Sequence, residues 1–222
     1  MTISTAPTTS TAAGMPWPTR VPLIAILRGI TPDEAVAHTR ALLDAGFECI
    51  EIPTNSPAWE RSVRAVSDYA GARAMVGAGT VLEMSQVRAL KAAGGRIAVA
   101  PDTCPDVIMQ VVREGMIALP GAMTASEIFT ARRAGAHGVK IFPAASLGPS
   151  YVRALRAVVP EEFPLFAVGG VTPENLEVWL ASGCRGAGLG SDLYKPGQSS
   201  ADTATRATAF IQAWHSSLKK AS

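Results

Sequence analysis

Short apolar runs and longer amphipathic stretches alternate along this chain from about residue 20 to its end. The runs are Leu23–Leu27, Cys49–Ile52, Met75–Ala78, Ile97–Ala100, Ile117–Leu119, Val139–Phe142, Leu165–Val168 and Ala187–Leu189. They are too short for helices, and their near-continuous apolar character suits strands covered on both faces. An amphipathic segment follows each run. Thr31-Pro32-Asp33-Glu34 and Thr124-Ala125-Ser126-Glu127 match a helix-starting capping box, with Pro32 at the first helical position. Ala45-Gly46, Ala93-Gly94, Ala134-Gly135 and Ser182-Gly183 suit left-handed helix ends.

Eight strand–helix units spaced 20–26 residues apart predict a (β/α)8 TIM barrel. An open doubly wound sheet is the competing architecture. It is weakened because Leu27-Arg28-Gly29-Ile30, and no Gly-x-Gly-x-x-Gly turn, follows the first strand. No linker interrupts the alternation, so residues 20–222 read as a single domain. Residues 1–19, rich in Thr, Ser, Ala and Pro, read as a flexible leader that lacks the basic start and apolar segment of a signal peptide.

Composition narrows the function classes. The 222 residues are 48% hydrophobic, enough for a sizeable core, and 20 basic against 18 acidic residues leave a net charge of +2. That balance, without a basic cluster interleaved with aromatics, excludes a nucleic-acid surface. No run approaches the roughly 20 apolar residues of a membrane span. Cys49, Cys104 and Cys184 form no pair or cluster with metal-ligand spacing, so reduced thiols, a cytoplasmic setting and no structural metal are expected. His38, in a helix pattern, and His215, near the C-terminus, read as surface residues.

In a barrel, chemistry collects where strands end and the following loops begin. Lys140 lies inside the apolar run Gly138-Val139-Lys140-Ile141-Phe142-Pro143. Burial there disfavours its ammonium, and a neutral lysine amine is the nucleophile that attacks ketones. The competing reading is a lysine that snorkels to solvent from the strand end. Lys91, Lys195, Lys219 and Lys220 lie in polar surroundings. Glu51, between Ile50 and Ile52, is costly to bury unless paired or used, and alternation sets it on the opposite face from both isoleucines. It serves either as a proton-transfer group or as half of a structural ion pair.

Arg28 offers a planar fork for a carboxylate or phosphate, or else is a surface arginine. Thr80, in Gly77-Ala78-Gly79-Thr80, can donate a hydroxyl to a carboxylate. After the last two strands come Val168-Gly169-Gly170-Val171-Thr172 and Gly188-Leu189-Gly190-Ser191-Asp192, glycine-rich turns where barrels often hold phosphate on backbone N–H groups. Asp192 is unsuited to face a phosphate and is expected to cap the next helix. Together these groups suit a phosphorylated small molecule with a ketone beside a carboxylate, handled by class I aldolase chemistry without an organic cofactor.

Over about residues 20–198 the sequence resembles the 2-keto-3-deoxy-6-phosphogluconate aldolase family. Glu51-Ile52, Gly77-Ala78-Gly79-Thr80-Val81-Leu82, Val139-Lys140-Ile141-Phe142-Pro143 and Ala167-Val168-Gly169-Gly170 carry the resemblance. It implies Lys140 as the Schiff-base lysine, Glu51 as general acid/base, a phosphorylated 2-keto-3-deoxy sugar acid as substrate, pyruvate and glyceraldehyde 3-phosphate as products, and a homotrimer. Two positions depart from the gluconate branch and match the galactonate branch. Asn55 stands where an arginine for the pyruvyl carboxylate is usual, so that Arg28 takes over that role, and Val168 replaces a threonine before the Gly-Gly pair. The alternatives left open are the gluconate epimer or a 4-hydroxy-2-oxoglutarate-type substrate, a sugar-phosphate isomerase or epimerase, and a non-catalytic barrel.

Overall fold

The computed structural model describes residues 17–221. Among them are nine parallel strands: β1 (Leu23–Ile26), β2 (Cys49–Pro53), β3 (Met75–Gly79), β4 (Ile97–Val99), β5 (Ile117–Leu119), β6 (Gly121–Ala122), β7 (Val139–Ile141), β8 (Leu165–Val168) and β9 (Gly186–Leu189). They lie in the order β5-β4-β3-β2-β1-β9-β8-β7-β6. The two ends of this sheet are consecutive in the chain. β5 is the predicted run Ile117–Leu119, and β6, absent from the predicted runs, continues it beyond Pro120, which has no N–H for the ladder. Its carbonyl still accepts from Lys140 N–H at 2.9 Å, so the sheet curls closed through this residue into the eight-unit (β/α)8 barrel.

The helices are α1 (Pro32–Ala45), α2 (Trp59–Ala70), α3 (Met84–Ala92), α4 (Pro105–Arg113), α5 (Ala125–Arg133), α6 (Ala144–Leu147), α7 (Pro149–Arg156), α8 (Leu176–Ala181) and α9 (Ser200–Ala221). Both predicted capping boxes form. Thr31 N–H donates to Glu34 Oε1 at 3.0 Å, and Thr124 N–H to Glu127 Oε2 at 2.8 Å. Gly46, Gly94, Gly135 and Gly183 all end helices at positive φ, between 86° and 106°.

Strand alternation sorts the apolar residues into two layers. Ile50, Ile52, Val139, Ile141, Leu165 and Ala167 face outward into the core shared with the helices. Trp17, Ile24, Cys49, Met75, Ile97, Val99, Leu119 and Phe166 fill the lower barrel interior. Glu51 and Lys140 therefore point inward, above that second layer.

Two expectations need correction. His38 is a buried residue rather than a surface one: α9 packs across α1 and covers it, and Nδ1 shares a 2.8 Å hydrogen bond with Thr203 Oγ1. Trp17 and Thr19, assigned to the leader by composition, pack against the barrel, each only 7% exposed. The predicted leader before Trp17 lies outside the described residues. His215 is exposed, as predicted.

Candidate active site

A cavity of about 420 Å³ opens at the C-terminal ends of the strands. All ten site residues singled out in the sequence line it: Arg28, Glu51, Thr80, Lys140, Val168, Gly169, Gly170, Gly190, Ser191 and Asp192. Lys140 comes from the middle of β7 and is 6% exposed, so it does not snorkel into solvent; Glu51 comes from β2 and is 2% exposed. Burial pushes the Lys140 ammonium below the usual lysine range, and Arg28 adds to this, while Glu51 and Asp102 oppose it. Burial pushes the Glu51 carboxyl up to about 7, against the opposing pull of Lys140 and Arg28. The outcome is an amine that loses its proton more readily than an ordinary lysine and a carboxyl that can be neutral near pH 7, which suits nucleophilic attack and proton transfer.

Glu51 Oε2 is buried and, among the described residues, has no hydrogen-bond partner. An orphaned carboxylate oxygen of this kind is costly in a structural residue and is expected of one that meets a substrate or water. The structure forms no salt bridge between Glu51 and a basic neighbour among the described residues.

Arg28 Nη1 donates to Asn55 Oδ1 at 2.7 Å, and Gly29 N–H donates to Ser56 Oγ at 2.9 Å. The loop after β2 thus braces the loop after β1. Asn55 holds the arginine that follows the neighbouring strand. Thr80 adopts φ +58°, a left-handed conformation that is strained for a residue with a Cβ, and its carbonyl accepts from Thr54 Oγ1 at 2.7 Å. This turn aims the segment after β3 at the cavity.

At the far side, Gly169 and Gly170 are consecutive left-handed residues at φ +98° and +76°. A Cβ on Gly170 would stand 2.7 Å from Ala145 Cβ. Among the described residues, the amides of Gly170 and Ser191 donate to no acceptor, which leaves them available to an oxyanion. Asp192 does not cap a helix, contrary to expectation. Its Oδ2 accepts from Ser191 Oγ at 3.5 Å, and α9 begins only at Ser200, where Asp202 and Ser199 form the cap.

Because no helix starts at Asp192, the chain stays irregular through Gly197 and brings Tyr194, Lys195 and Pro196 to the cavity wall. Sequence reasoning missed these three, having set Lys195 aside for its polar surroundings. It also missed Phe142, whose ring centroid is 4.9 Å from Lys140 Nζ. Alternation could have found Phe142, since it lies two residues beyond Lys140.

A closed parallel barrel with a buried lysine and carboxyl in one cavity at its C-terminal face has the layout of a lyase that handles carbonyl substrates. The family model described as KDPG and KHG aldolase matches residues 18–208. The chain is 54% identical over 205 residues to 2-dehydro-3-deoxy-6-phosphogalactonate aldolase of Escherichia coli (strain K12), covering 92% of this chain and 100% of that protein. A solved structure described as "Native KDPGal structure" superposes with a TM-score of 0.91 at 54% identity, covering 92% of this chain and 100% of that one. A cube-shaped, highly porous protein cage designed by fusing symmetric oligomeric domains matches with a TM-score of 0.90 at 54% identity, over 91% of this chain and 75% of that one. The chain belongs to the KDPG and KHG aldolase family and is an aldolase.

Proposed function

We propose that this aldolase cleaves 2-dehydro-3-deoxy-6-phosphogalactonate to pyruvate and glyceraldehyde 3-phosphate through a Schiff base on Lys140. The observation that carries the reading is the meeting of Lys140 and Glu51, both almost fully buried, in one cavity whose opposite wall carries the free glycine-loop amides.

Neutral Lys140 adds to the C2 ketone, and loss of water gives an iminium. Arg28, held by Asn55, and Thr80 grip the adjacent carboxylate. Glu51, acting through a water, takes the C4 hydroxyl proton as the C3–C4 bond breaks, and the electron pair flows into the iminium to form an enamine. Glyceraldehyde 3-phosphate leaves, C3 is protonated, and water releases pyruvate. A carboxyl whose pKa is near 7 can accept the proton and return it without leaving neutral pH. The phosphate sits on the Gly169-Gly170 and Gly190-Ser191 turns. Val168, inward-facing and nearly buried, presents methyl groups and no hydroxyl to the substrate, which supports the galactonate epimer over the gluconate one.

The reading includes a homotrimer and a cytoplasmic setting. Leu82, Met123 and Phe142 on loops and Met84 at the start of α3 are exposed apolar side chains at the C-terminal rim, which supports self-association there. The similar protein fused into a cage of symmetric oligomeric domains supports it as well. The three cysteines are free, in keeping with a reducing compartment.

Borohydride reduction with pyruvate, followed by peptide mass mapping, should place the adduct on Lys140; active protein without that adduct would end the Schiff-base reading. An assay of pyruvate release on both epimers tests reaction and specificity together. Light scattering should return three times the 23.1 kDa chain mass.

A further inference from the structure

The barrel interior below Lys140 is closed by a residue from outside the strand–helix repeat. Trp17 precedes β1 and belongs to the inner apolar layer. Its indole Nε1 donates to Thr19 Oγ1 at 2.9 Å, and that hydroxyl donates to the Val21 carbonyl at 3.0 Å. With its one polar atom satisfied locally, the rest of the ring is free to be purely apolar. It lies 4.4 Å from the ring centroid of Phe166, tilted by 52°. Phe166 is fully buried and is the direct register partner of Lys140 across the β7–β8 ladder. Partners in a ladder share a face, so Phe166 stands beside the Lys140 stem and Trp17 caps Phe166.

Outside this cap lies a groove of about 1230 Å³ at the N-terminal ends of the strands. Its walls include Thr19, Arg20, Arg73, Arg96 and also Met75, a member of the inner layer. This open groove therefore reaches the underside of the apolar layer at Met75, while the indole covers Phe166 from the segment that precedes β1.

We propose that Trp17 is a positioning residue for the aldol reaction, sealing the lower end of the barrel so that water does not reach the stem of Lys140 from below. The inference rests on the Schiff-base reading of Lys140. The charges that face Lys140 are Glu51 on β2, Arg28 at the end of β1 and Asp102 after β4, and all three belong to the upper half. Removing the indole leaves them in place and changes only the hydration of the floor. Wetting that floor makes the ammonium easier to keep, so the amine becomes neutral at higher pH.

The test is the pH dependence of borohydride trapping with pyruvate. Trp17→Ala should move the acid limb by about one pH unit to the alkaline side, cutting trapping near pH 7 about tenfold. Trp17→Phe, which refills most of the space, should restore much of the original profile. Phe210→Ala, in the outer layer on α9, serves as a control of comparable cavity cost and should leave the profile unmoved while lowering the Tm. Should Trp17→Ala fail to fold, Trp17→Leu should show a smaller shift of the same sign. Trapping with an unshifted profile in the folded variant overturns this inference alone. An untrappable wild-type protein overturns the Schiff-base reading and this inference with it.

Discussion

The carboxyl of Glu51 occupies the space that a side chain on Gly79 would need. A Cβ built on Gly79 overlaps Glu51 Oε2 and stands against its Cδ and Oε1. The glycine at the end of β3 is therefore a requirement of the neighbouring strand's catalytic candidate and not of its own turn. Gly79→Ala should push the buried carboxyl off its position while leaving Lys140 on the far strand untouched. Turnover should fall by about 10²–10⁴, the usual worth of a positioned acid/base, while pyruvate is still trapped on the lysine. Steady-state kinetics and borohydride trapping on the same preparation decide it. Near-normal turnover would show that Glu51 tolerates displacement and is not the proton-transfer group.

The same geometry shows what the amino-acid pattern can and cannot convey. Glu51 and Lys140 were legible because an acid or a base flanked by isoleucines and valines inside a strand is a large local energetic anomaly, and strand alternation gives its direction. The barrel was legible because eight apolar runs recur at even spacing. Asp192 was misread because a helix-capping residue looks the same whether a helix or an irregular segment follows it. That error hid Tyr194, Lys195 and Pro196, which reach the cavity only through the irregular path. His38 was misread because its covering partner, Thr203, lies 165 residues away. The Arg28–Asn55 contact, 27 residues apart, was anticipated as an exchange of roles, but its hydrogen bond depends on how two loops sit together.

That contact makes a prediction of its own. Arg28 donates to Asn55 Oδ1 through Nη1 only, which leaves its other N–H groups for a substrate carboxylate. Arg28→Ala should raise KM for pyruvyl substrates, with a loss in kcat/KM of about 1.5–3 kcal/mol, the worth of a hydrogen bond to a charged group. Asn55→Ala should cost less, because the guanidinium remains and only its brace is removed. In the double variant the two losses should not add, since Asn55 acts through Arg28. Additive losses would show that Asn55 has an independent role.

Stability should depend on pH through His137. Its Nδ1 accepts from Ala118 N–H at 3.1 Å, and burial pushes its pKa below the ordinary 6.5. The unfolded chain takes up that proton at about 6.5, whereas the folded chain resists it, so stability is lost as pH falls below that value. The slope from this one group is at most about 1.4 kcal/mol per pH unit. Buried His38, also pushed down, acts in the same sense. Glu51, whose pKa is pushed up from 4.5 to about 7, acts in the opposite sense between those values, so the raw curve is a composite. The difference between wild type and His137→Asn isolates the term: denaturant unfolding from pH 7 to pH 5 should show a shallower decline for the variant. Parallel curves would mean that His137 titrates alike in both states.

Epimer choice should respond to Val168. This side chain reaches the cavity from the end of β8, and its Cγ2 settles over Gly188 of the neighbouring strand, at 2.9 Å from where a Cβ there would lie. Val168→Thr keeps the branched shape but exchanges one methyl for a hydroxyl. Facing the C4 alcohol, that hydroxyl adds a hydrogen bond to whichever epimer points its own oxygen toward β8. A neutral hydrogen bond of this kind is worth about 0.5–1.5 kcal/mol net, so the ratio of kcat/KM between the galactonate and gluconate epimers should move by roughly two- to tenfold toward gluconate. A hydroxyl left without a partner in the unliganded barrel costs about 1–3 kcal/mol, so a modest fall in Tm should accompany the change. Because both epimers meet the same enzyme, loss of stability cancels from the ratio. A ratio that stays fixed would place epimer recognition elsewhere on the cavity wall.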